Sequence, residues 1–299
     1  MSILTRKKLD INNRFRHALH LMEKTDTSLF ITGRAGTGKS TLLAHFCART
    51  GKKPVVLAPT GVAALNVKGQ TIHKFFNFYI DVTPEKIRSL KIKPRNPKLY
   101  AKLRTVIIDE VSMVRADLLD CIDEFLRLYG PKKNEPFGGV QMIFVGDLYQ
   151  LPPVVRQESE ESFAALYETP FFFSARCLKE ADFAVVELDT IYRQKEQEFV
   201  DLLNRIRTNE VTDADIETLH QRYDPAYQPR GKGFFINLTT TNRKADEINA
   251  QHLAALTTKL HTTNAKISGE FGPEYYPTAT ELQFKIGSQV MLINNDTQG

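Results

Sequence analysis

A chain of 299 residues with 42% apolar and 25% charged residues holds material for roughly two globular domains, and its composition excludes a disordered, collagenous or disulfide-built protein. Net charge is only +5 but unevenly placed: residues 84–104 carry Lys86, Arg88, Lys91, Lys93, Arg95, Lys98, Lys102 and Arg104 against the single acid Glu85, which suggests a polyanion partner there or else a solvated face. No apolar run is long enough to span a membrane, the N-terminus lacks a signal-peptide core, and Cys47, Cys121 and Cys177 form no zinc spacing, so the expectation is a cytoplasmic protein of a reducing compartment, bacterial in origin.

Ile11, Phe15, Leu19 and Met22 recur at helical spacing and predict a helix over 10–24 that packs on the strand after it. Leu29 to Ile31 is a short apolar run that reads as that strand, and it enters Gly33-Arg-Ala-Gly36-Thr37-Gly38-Lys39-Ser40-Thr41. This fits G-x-x-x-x-G-K-[ST], the phosphate-binding loop, in the strand–loop–helix setting it requires. Gly33, Gly36 and Gly38 let successive backbone amides turn inward on phosphate oxygens. Lys39 can reach the β- and γ-phosphates, and Ser40 can hold Mg²⁺. The helix from Lys39 is expected to end at Gly51, and Pro54–Ala58 is a second buried strand, so the long connection implies a parallel, right-handed crossover.

Thr60, Gly61, Asn66, Thr71 and His73 follow that strand end, where an open α/β sheet places ligand-binding groups, and they suit contacts to backbone phosphates and sugars. Thr60 reads equally as a helix cap, His73 as a core histidine, and Phe75 and Phe76 as core rather than base-stacking rings. Residues 77–104, broken by Pro84, Pro94 and Pro97, read as a basic insertion on the domain rim. Thr105–Ile108 is an apolar strand ending in Asp109 and Glu110: the first can hold Mg²⁺, the second can orient and deprotonate water. A helical face, Val114 to Tyr129, leads to a strand over 140–146 and then Asp147-Leu-Tyr-Gln150, where Gln150 either senses the γ-phosphate or is a loop amide.

Helical patches are expected at 163–168 and 174–180, then a strand at 184–188, Tyr192-Arg193-Gln194, and helices through Phe199–Ile206 and 213–223, the last capped by Asp213. A strand over 234–239, a helix capped by Asn242, and a strand over 284–293 within β-hairpin material complete the reading.

GRAGTGKST, APTGVAALNVKGQTIHKFF, IIDEVSMV, PFGGVQMIFVGDLYQLPPV and YRQ occur in the order found in the PIF helicases, relatives of RecD in helicase superfamily one, which the chain resembles from about residue 10 onward. TTTNRKADEIN and FKIGSQVMLINN also look like theirs. The resemblance implies an α/β fold of P-loop NTPase type: RecA-like parallel sheets flanked by helices, with small insertions and a β-rich C-terminal stretch. The first domain is expected at 1–182 with its basic insertion at 77–104, and the second, incomplete, at 183–299. It implies ATP and Mg²⁺ as cofactors and 5′→3′ movement on single-stranded DNA with unwinding at duplex junctions, in roles such as DNA repair and telomere maintenance. The protein is expected to be a monomer without membrane association.

Carried over residue by residue, Lys39, Glu110, Gln150 and Arg193 are catalytic, and Gly36, Thr37, Gly38, Lys39, Ser40, Thr41 and Tyr192 hold nucleotide. Ser40 and Asp109 hold the metal. Thr60, Gly61, Asn66, Thr71, His73, Lys91, Lys93 and Arg95 contact DNA. Two features depart from the family pattern: no glutamine for reading adenine precedes Phe15, and the late motifs of the second domain are expected beyond Gly299. The rival reading is a nucleotide-switched module that holds nucleic acid without unwinding it.

Overall fold

The computed structural model describes residues 11–79, 81–90, 92–156, 159–190, 197–227, 235–267 and 278–291. Helix α1 (Asn13–Lys24) starts at Asn12, whose side chain accepts the Phe15 amide at 2.8 Å. Strand β1 (Ser28–Gly33) runs through the glycine loop into α2 (Lys39–Cys47). Then come β2 (Val55–Ala58), α3 (Gly61–Asn66), β3 (Gln70–Thr71) and α4 (Ile72–Phe76). Short helices α5 (Pro84–Arg88) and α6 (Pro97–Tyr100) each begin at a proline, which suits a first turn because no amide is needed there. Strand β4 (Thr105–Ile108), α7 (Ala116–Tyr129), β5 (Gln141–Val145), α8 (Glu160–Ala164), β6 (Phe183–Leu188), α9 (Gln197–Thr208) and α10 (Asp213–His220) follow. The first compact unit runs to Ile216.

Its six strands form one parallel sheet in the order β3-β2-β4-β5-β1-β6. Strand residues alternate between two cores, as the period of two demands. Leu29, Ile31, Ile107, Ile143, Val145, Val186 and Leu188 pack beneath α1 and α2, with Phe15, Met22, Leu42 and Phe46. Phe30, Val106, Ile108, Met142 and Phe144 face the other way, onto α7. Buried Gln141 pins the N-terminal edge: its amide donates to the Leu21 and Thr27 carbonyls, and its oxygen accepts from Lys52 at 2.9 Å.

Two buried carboxylates on α7 hold loops rather than chemistry. Asp120 accepts from the Tyr167 hydroxyl at 2.8 Å and the Cys177 amide at 2.9 Å. Asp123 accepts from the Phe137 amide and from Arg127, both at 2.6 Å. Leaving such a carboxylate unpartnered in the interior is costly, so each loop is fixed where the acid requires it.

Several expectations need correction. Strand 183–188, expected to open the second domain, is β6 of the first sheet, in register with β1 from Ser28↔Phe183 to Gly33↔Leu188. Residues 77–104 are no rim appendage: Phe78, Val82, Ile87, Ile92, Tyr100 and Leu103 enter the α7-side core. There Phe75, Phe76, Phe78 and Tyr100 crowd Phe125, and the Tyr100 hydroxyl donates to the Phe75 carbonyl. Helix α2 stops at Cys47, before Gly51. The expected patches at 163–168 and 174–180 become α8 and two 3₁₀ turns. Thr212, not Asp213, caps α10, exchanging hydrogen bonds with Asp215 in a capping box.

In the second unit, α11 (Asn242–Ala255) is capped by Thr241 rather than Asn242, with the Thr241 hydroxyl accepting from the Lys244 amide. Strands β7 (Leu260–Asn264) and β8 (Glu281–Lys285) form an antiparallel pair from Leu260↔Lys285 to Asn264↔Glu281. The hairpin expectation therefore holds, but its second strand lies at 281–285, and residues 286–291 of the expected strand are outside it. The expected strand 234–239 forms none over its described residues 235–239.

Candidate functional site

Parallel strands deliver all their C-terminal exits to one edge, and the glycine loop, the Asp109–Glu110 pair and the Asp147–Gln150 turn follow three neighbouring exits. The loop after β1 has Gly36 at φ 82° and Gly38 at φ 92°, left-handed values that a side chain disfavours. A Cβ on Gly33 would run into the Leu188 carbonyl of β6. Thr37 is buried, and its hydroxyl donates to the Arg34 carbonyl at 2.8 Å, closing the loop from within. Lys39, at the first position of α2, donates from Nζ to the Gly33 and Arg34 carbonyls at 2.6 and 3.2 Å. Its ammonium is thus folded back over the loop, at the positive end of the helix. Ser40 and Thr41 beside it are exposed.

The two acids after β4 differ in setting. Asp109 is 8% exposed, and burial pushes its carboxyl up to about 6, with the neighbouring Glu110 charge adding to the rise. Glu110 is half-buried and adopts φ 53°, ψ 42°, a left-handed conformation unusual for a glutamate. Strain of this kind costs about 1–3 kcal/mol and persists where surrounding structure enforces it.

Strand β5 lies between β1 and β4, so its exit falls between the loop and those acids. There Asp147, 1% exposed, accepts from the Tyr149 amide at 3.2 Å and from the Gln150 side-chain amide at 3.3 Å. Gln150 itself is exposed. Arg207, near the end of α9, closes a two-pronged ion pair on Asp147: Nη2 donates to Oδ1 at 2.8 Å and Nε to Oδ2 at 3.0 Å. Its guanidinium also lies 4.2 Å from the centre of the Tyr149 ring. Burial pulls the Asp147 carboxyl up, but Arg207 and the Tyr149 amide outweigh it and hold it below the usual range. Burial likewise lowers the pKa of Lys39, against the pull of Asp147, Glu110 and Asp109 and with the push of Arg207. Lys39 thus feels four other charged groups at these strand exits.

Sequence reasoning missed Asp147 and Arg207. Asp147 had a readable signal, an acid at the end of a fully apolar strand. Arg207 had none, because its partner lies 60 residues away in the chain.

A second group lies after β2 and β3. Thr60 caps α3 by accepting the Ala63 amide at 3.2 Å, and Thr71 caps α4 by accepting the Lys74 amide at 3.3 Å. The capping role weighed for Thr60 is therefore present, while Gly61 and Asn66 are exposed. His73 is half-buried, and burial, then Arg115, lowers its pKa. Phe75 and Phe76 are core residues, 7% and 0% exposed, so they offer no face for stacking. Lys93 and Arg95 are exposed, with Arg95 donating to the Asn77 side chain at 2.8 Å. Other bases of that segment are spoken for: Arg88 pairs with Glu85 and Glu124, and Lys86 with Asp81. Lys91, Tyr192 and Arg193 lie outside the described residues.

The donor set fits a nucleoside polyphosphate with a divalent cation. The loop offers inward amides and an ammonium for phosphate oxygens, and Ser40 and Asp109 offer the hard oxygens that magnesium prefers. Among the described residues no cluster of three or more His, Cys, Asp or Glu could hold a metal by protein ligands alone.

Comparison with known proteins follows the same lines. The family model described as PIF1-like helicase matches residues 11–217. The ATP-dependent DNA helicase PIF1 of Emericella nidulans is 30% identical over 298 residues, covering 94% of this chain and 39% of that protein. The human protein of the same name is 32% identical over 280 residues, covering 90% of this chain and 41% of that protein. The chain thus spans about two-fifths of the length of these curated relatives. Among solved structures, Bacteroides Pif1 bound to single-stranded DNA is 33% identical with a TM-score of 0.85, and covers 97% of this chain and 67% of that one. The Bacteroides Pif1 complex with ADP-AlF3 and single-stranded DNA is 33% identical with a TM-score of 0.83 and the same coverage.

A carboxyl that binds its proton more tightly when folded stabilises the protein below its unfolded pKa and loses that contribution as pH rises through the folded one. For Asp109 the window runs from the ordinary 3.8 to about 6. Stability should therefore fall by up to about 3 kcal/mol across that window through this group. Urea unfolding of wild type and Asp109→Asn at pH 4 and pH 7 checks it: the variant should have the flatter profile, and equal profiles would exclude the assignment.

Proposed function

The chain belongs to the PIF1-like helicase family, and we propose that it carries the ATP-hydrolysing motor of a DNA helicase that moves 5′→3′ on single-stranded DNA and opens duplex junctions. The observation that carries the reading is the meeting of the glycine loop, Asp109, Glu110 and Gln150 at one sheet edge. A switch module that only holds nucleic acid has no use for the base and sensor.

In this reading Lys39 leaves the Gly33 and Arg34 carbonyls for the β- and γ-phosphates, joined by the loop amides and Thr41. Ser40 and Asp109 would hold Mg²⁺, which when bound neutralises phosphate charge. Glu110 orients the attacking water and takes its proton, and Gln150 senses the γ-phosphate at the exit of β5. Arg193 supplies a transition-state cation and Tyr192 flanks the base. On the neighbouring exits, Thr60, Gly61, Asn66, Thr71 and His73 grip DNA, and Lys91, Lys93 and Arg95 add an electrostatic contact. Thr60 and Thr71 cap helices and still accept or donate one further hydrogen bond, so the two roles are compatible.

We also propose that the second motor domain begins after α9 and α10 and takes in the second compact unit, and that the chain acts as a monomer in the bacterial cytoplasm. All three cysteines are free, which suits a reducing compartment. Among the described residues no helix is long and apolar enough to cross a membrane.

Lys39→Ala should weaken Mg·ATP binding by roughly tenfold or more while leaving circular dichroism unchanged, the effect of losing one buried charged hydrogen-bond donor. Titration calorimetry of both proteins is the check, and equal affinities would refute the nucleotide site.

Replacing Lys93 and Arg95 with Gln should weaken single-stranded DNA binding and flatten its dependence on salt by up to about 0.7 for each phosphate no longer neutralised. Fluorescence anisotropy across a salt series reads the slope. No change in slope means these residues form only a solvated face.

Direction is tested with partial duplexes bearing a 5′ or a 3′ single-stranded tail, given ATP and the protein at the full length of its relatives. Unwinding from the 5′ tail alone is expected. Unwinding from the 3′ tail alone would reverse the proposal.

A further inference from the structure

Asp147 is an awkward residue for a site that binds polyphosphate. It is 1% exposed, sits at the exit of the strand beside the phosphate loop, and is the strongest of the charges acting on Lys39. A bare carboxylate there would repel the anion the loop is built to hold. Arg207 answers it with a two-pronged pair at 2.8 and 3.0 Å, itself only 16% exposed, and stacks on Tyr149 two residues along. The same Asp147 oxygen that meets Arg207 Nε also accepts the Gln150 amide, at 3.3 Å. One guanidinium therefore does two things. It cancels a buried negative charge beside the loop, and it freezes the turn that carries Gln150.

We propose that Arg207 is a positioning residue for the nucleotide's terminal phosphate, acting through Asp147: it cancels the carboxylate charge beside the phosphate loop and fixes Gln150 at the rim. The proposal rests on the nucleotide reading of the loop. It adds to that reading a requirement that α9 be docked on the β5 exit before triphosphate binds well, so α9 becomes a condition for charging the motor. A plain structural clamp would make different demands. It would affect diphosphate and triphosphate alike, in step with the change in melting temperature.

The test measures binding of Mg²⁺ with a non-hydrolysable β,γ-imido ATP analogue, and of Mg·ADP, to wild type, Arg207→Lys, Arg207→Gln, Asp147→Asn, the Asp147→Asn/Arg207→Gln double variant and Lys39→Ala. Melting temperature is followed in parallel. Arg207→Gln should lose roughly tenfold in affinity for the triphosphate, the effect of one unpaired charge at a partly buried site, and less for the diphosphate. Arg207→Lys should fall between wild type and the Gln variant, because it keeps the charge but not the two-pronged geometry. The double variant should recover most of the loss, because it removes the charge that needed cancelling. Equal binding by the Lys and Gln variants, equal losses for the two nucleotides, or no recovery in the double variant would each overturn the proposal. If Arg207→Gln does not fold, the comparison of Arg207→Lys with the double variant still decides: the double variant, with no charge left to cancel, should bind triphosphate at least as well, and weaker binding by it would overturn the proposal. Lys39→Ala separates the two failures. If it weakens binding while the Arg207 variants do not, only the role of Arg207 falls. If it binds as wild type does, the nucleotide reading falls first.

Discussion

Six strands running the same way bring six chain exits to one edge of the sheet, and the order of the strands decides which exits become neighbours. With β5 between β1 and β4, the glycine loop, the Asp147 turn and the Asp109–Glu110 pair stand side by side. The edge then gathers an ammonium, a guanidinium and three carboxylates over a few residues of width. Such crowding is tolerable only if charges are matched as they are desolvated. The Asp147–Arg207 pair matches one carboxylate fully, and Lys39, held by the carbonyls of its own loop, faces the other two.

Four buried carboxylates of the first unit show how one residue type serves two ends. Asp120 and Asp123 are filled by amides, a hydroxyl and Arg127, so they are fixed and serve to hold loops against α7. Asp109 is held high by burial, which leaves it responsive to an arriving cation. Asp147 is held low by a partner that comes from a distant helix. Environment, not identity, separates scaffold from site.

The second unit is physically different. Helix α11 buries none of its residues, and the β7–β8 strands are exposed apart from the half-buried Lys285. Leu238, Ile286, Val290 and Met291 stand open to solvent. The helix and two-stranded hairpin among its described residues offer too little apolar surface for an independent core. What order the unit has is local: the Thr241 cap, the paired strands, and Lys285 donating to the Leu256 carbonyl at 2.6 Å. This is also where the strand expectation at 234–239 is not met over its described residues and that at 284–293 is met only at 284–285. An apolar run becomes a strand only when another strand pairs with it, and among the described residues none pairs with 235–239 or 286–291.

What the sequence determined by itself was whatever depends on neighbours within a few residues. The glycine loop, the buried strands β1, β2, β4, β5 and β6, the amphipathic α1, α7 and α9, and the acids at the end of β4 all follow from spacing and residue type. The family resemblance followed from those same motifs in order. What only the tertiary structure decided was pairing between distant segments. Strand β6 was placed after the first domain in sequence terms, yet it closes the sheet beside β1, because a parallel crossover can return to any open edge. The apolar residues of the basic stretch, Ile87, Ile92, Tyr100 and Leu103, turned into the α7-side core, where a rim insertion was expected. Arg207 found Asp147 across 60 residues, and no local pattern encodes a contact whose energy comes from a carboxylate buried by the fold itself.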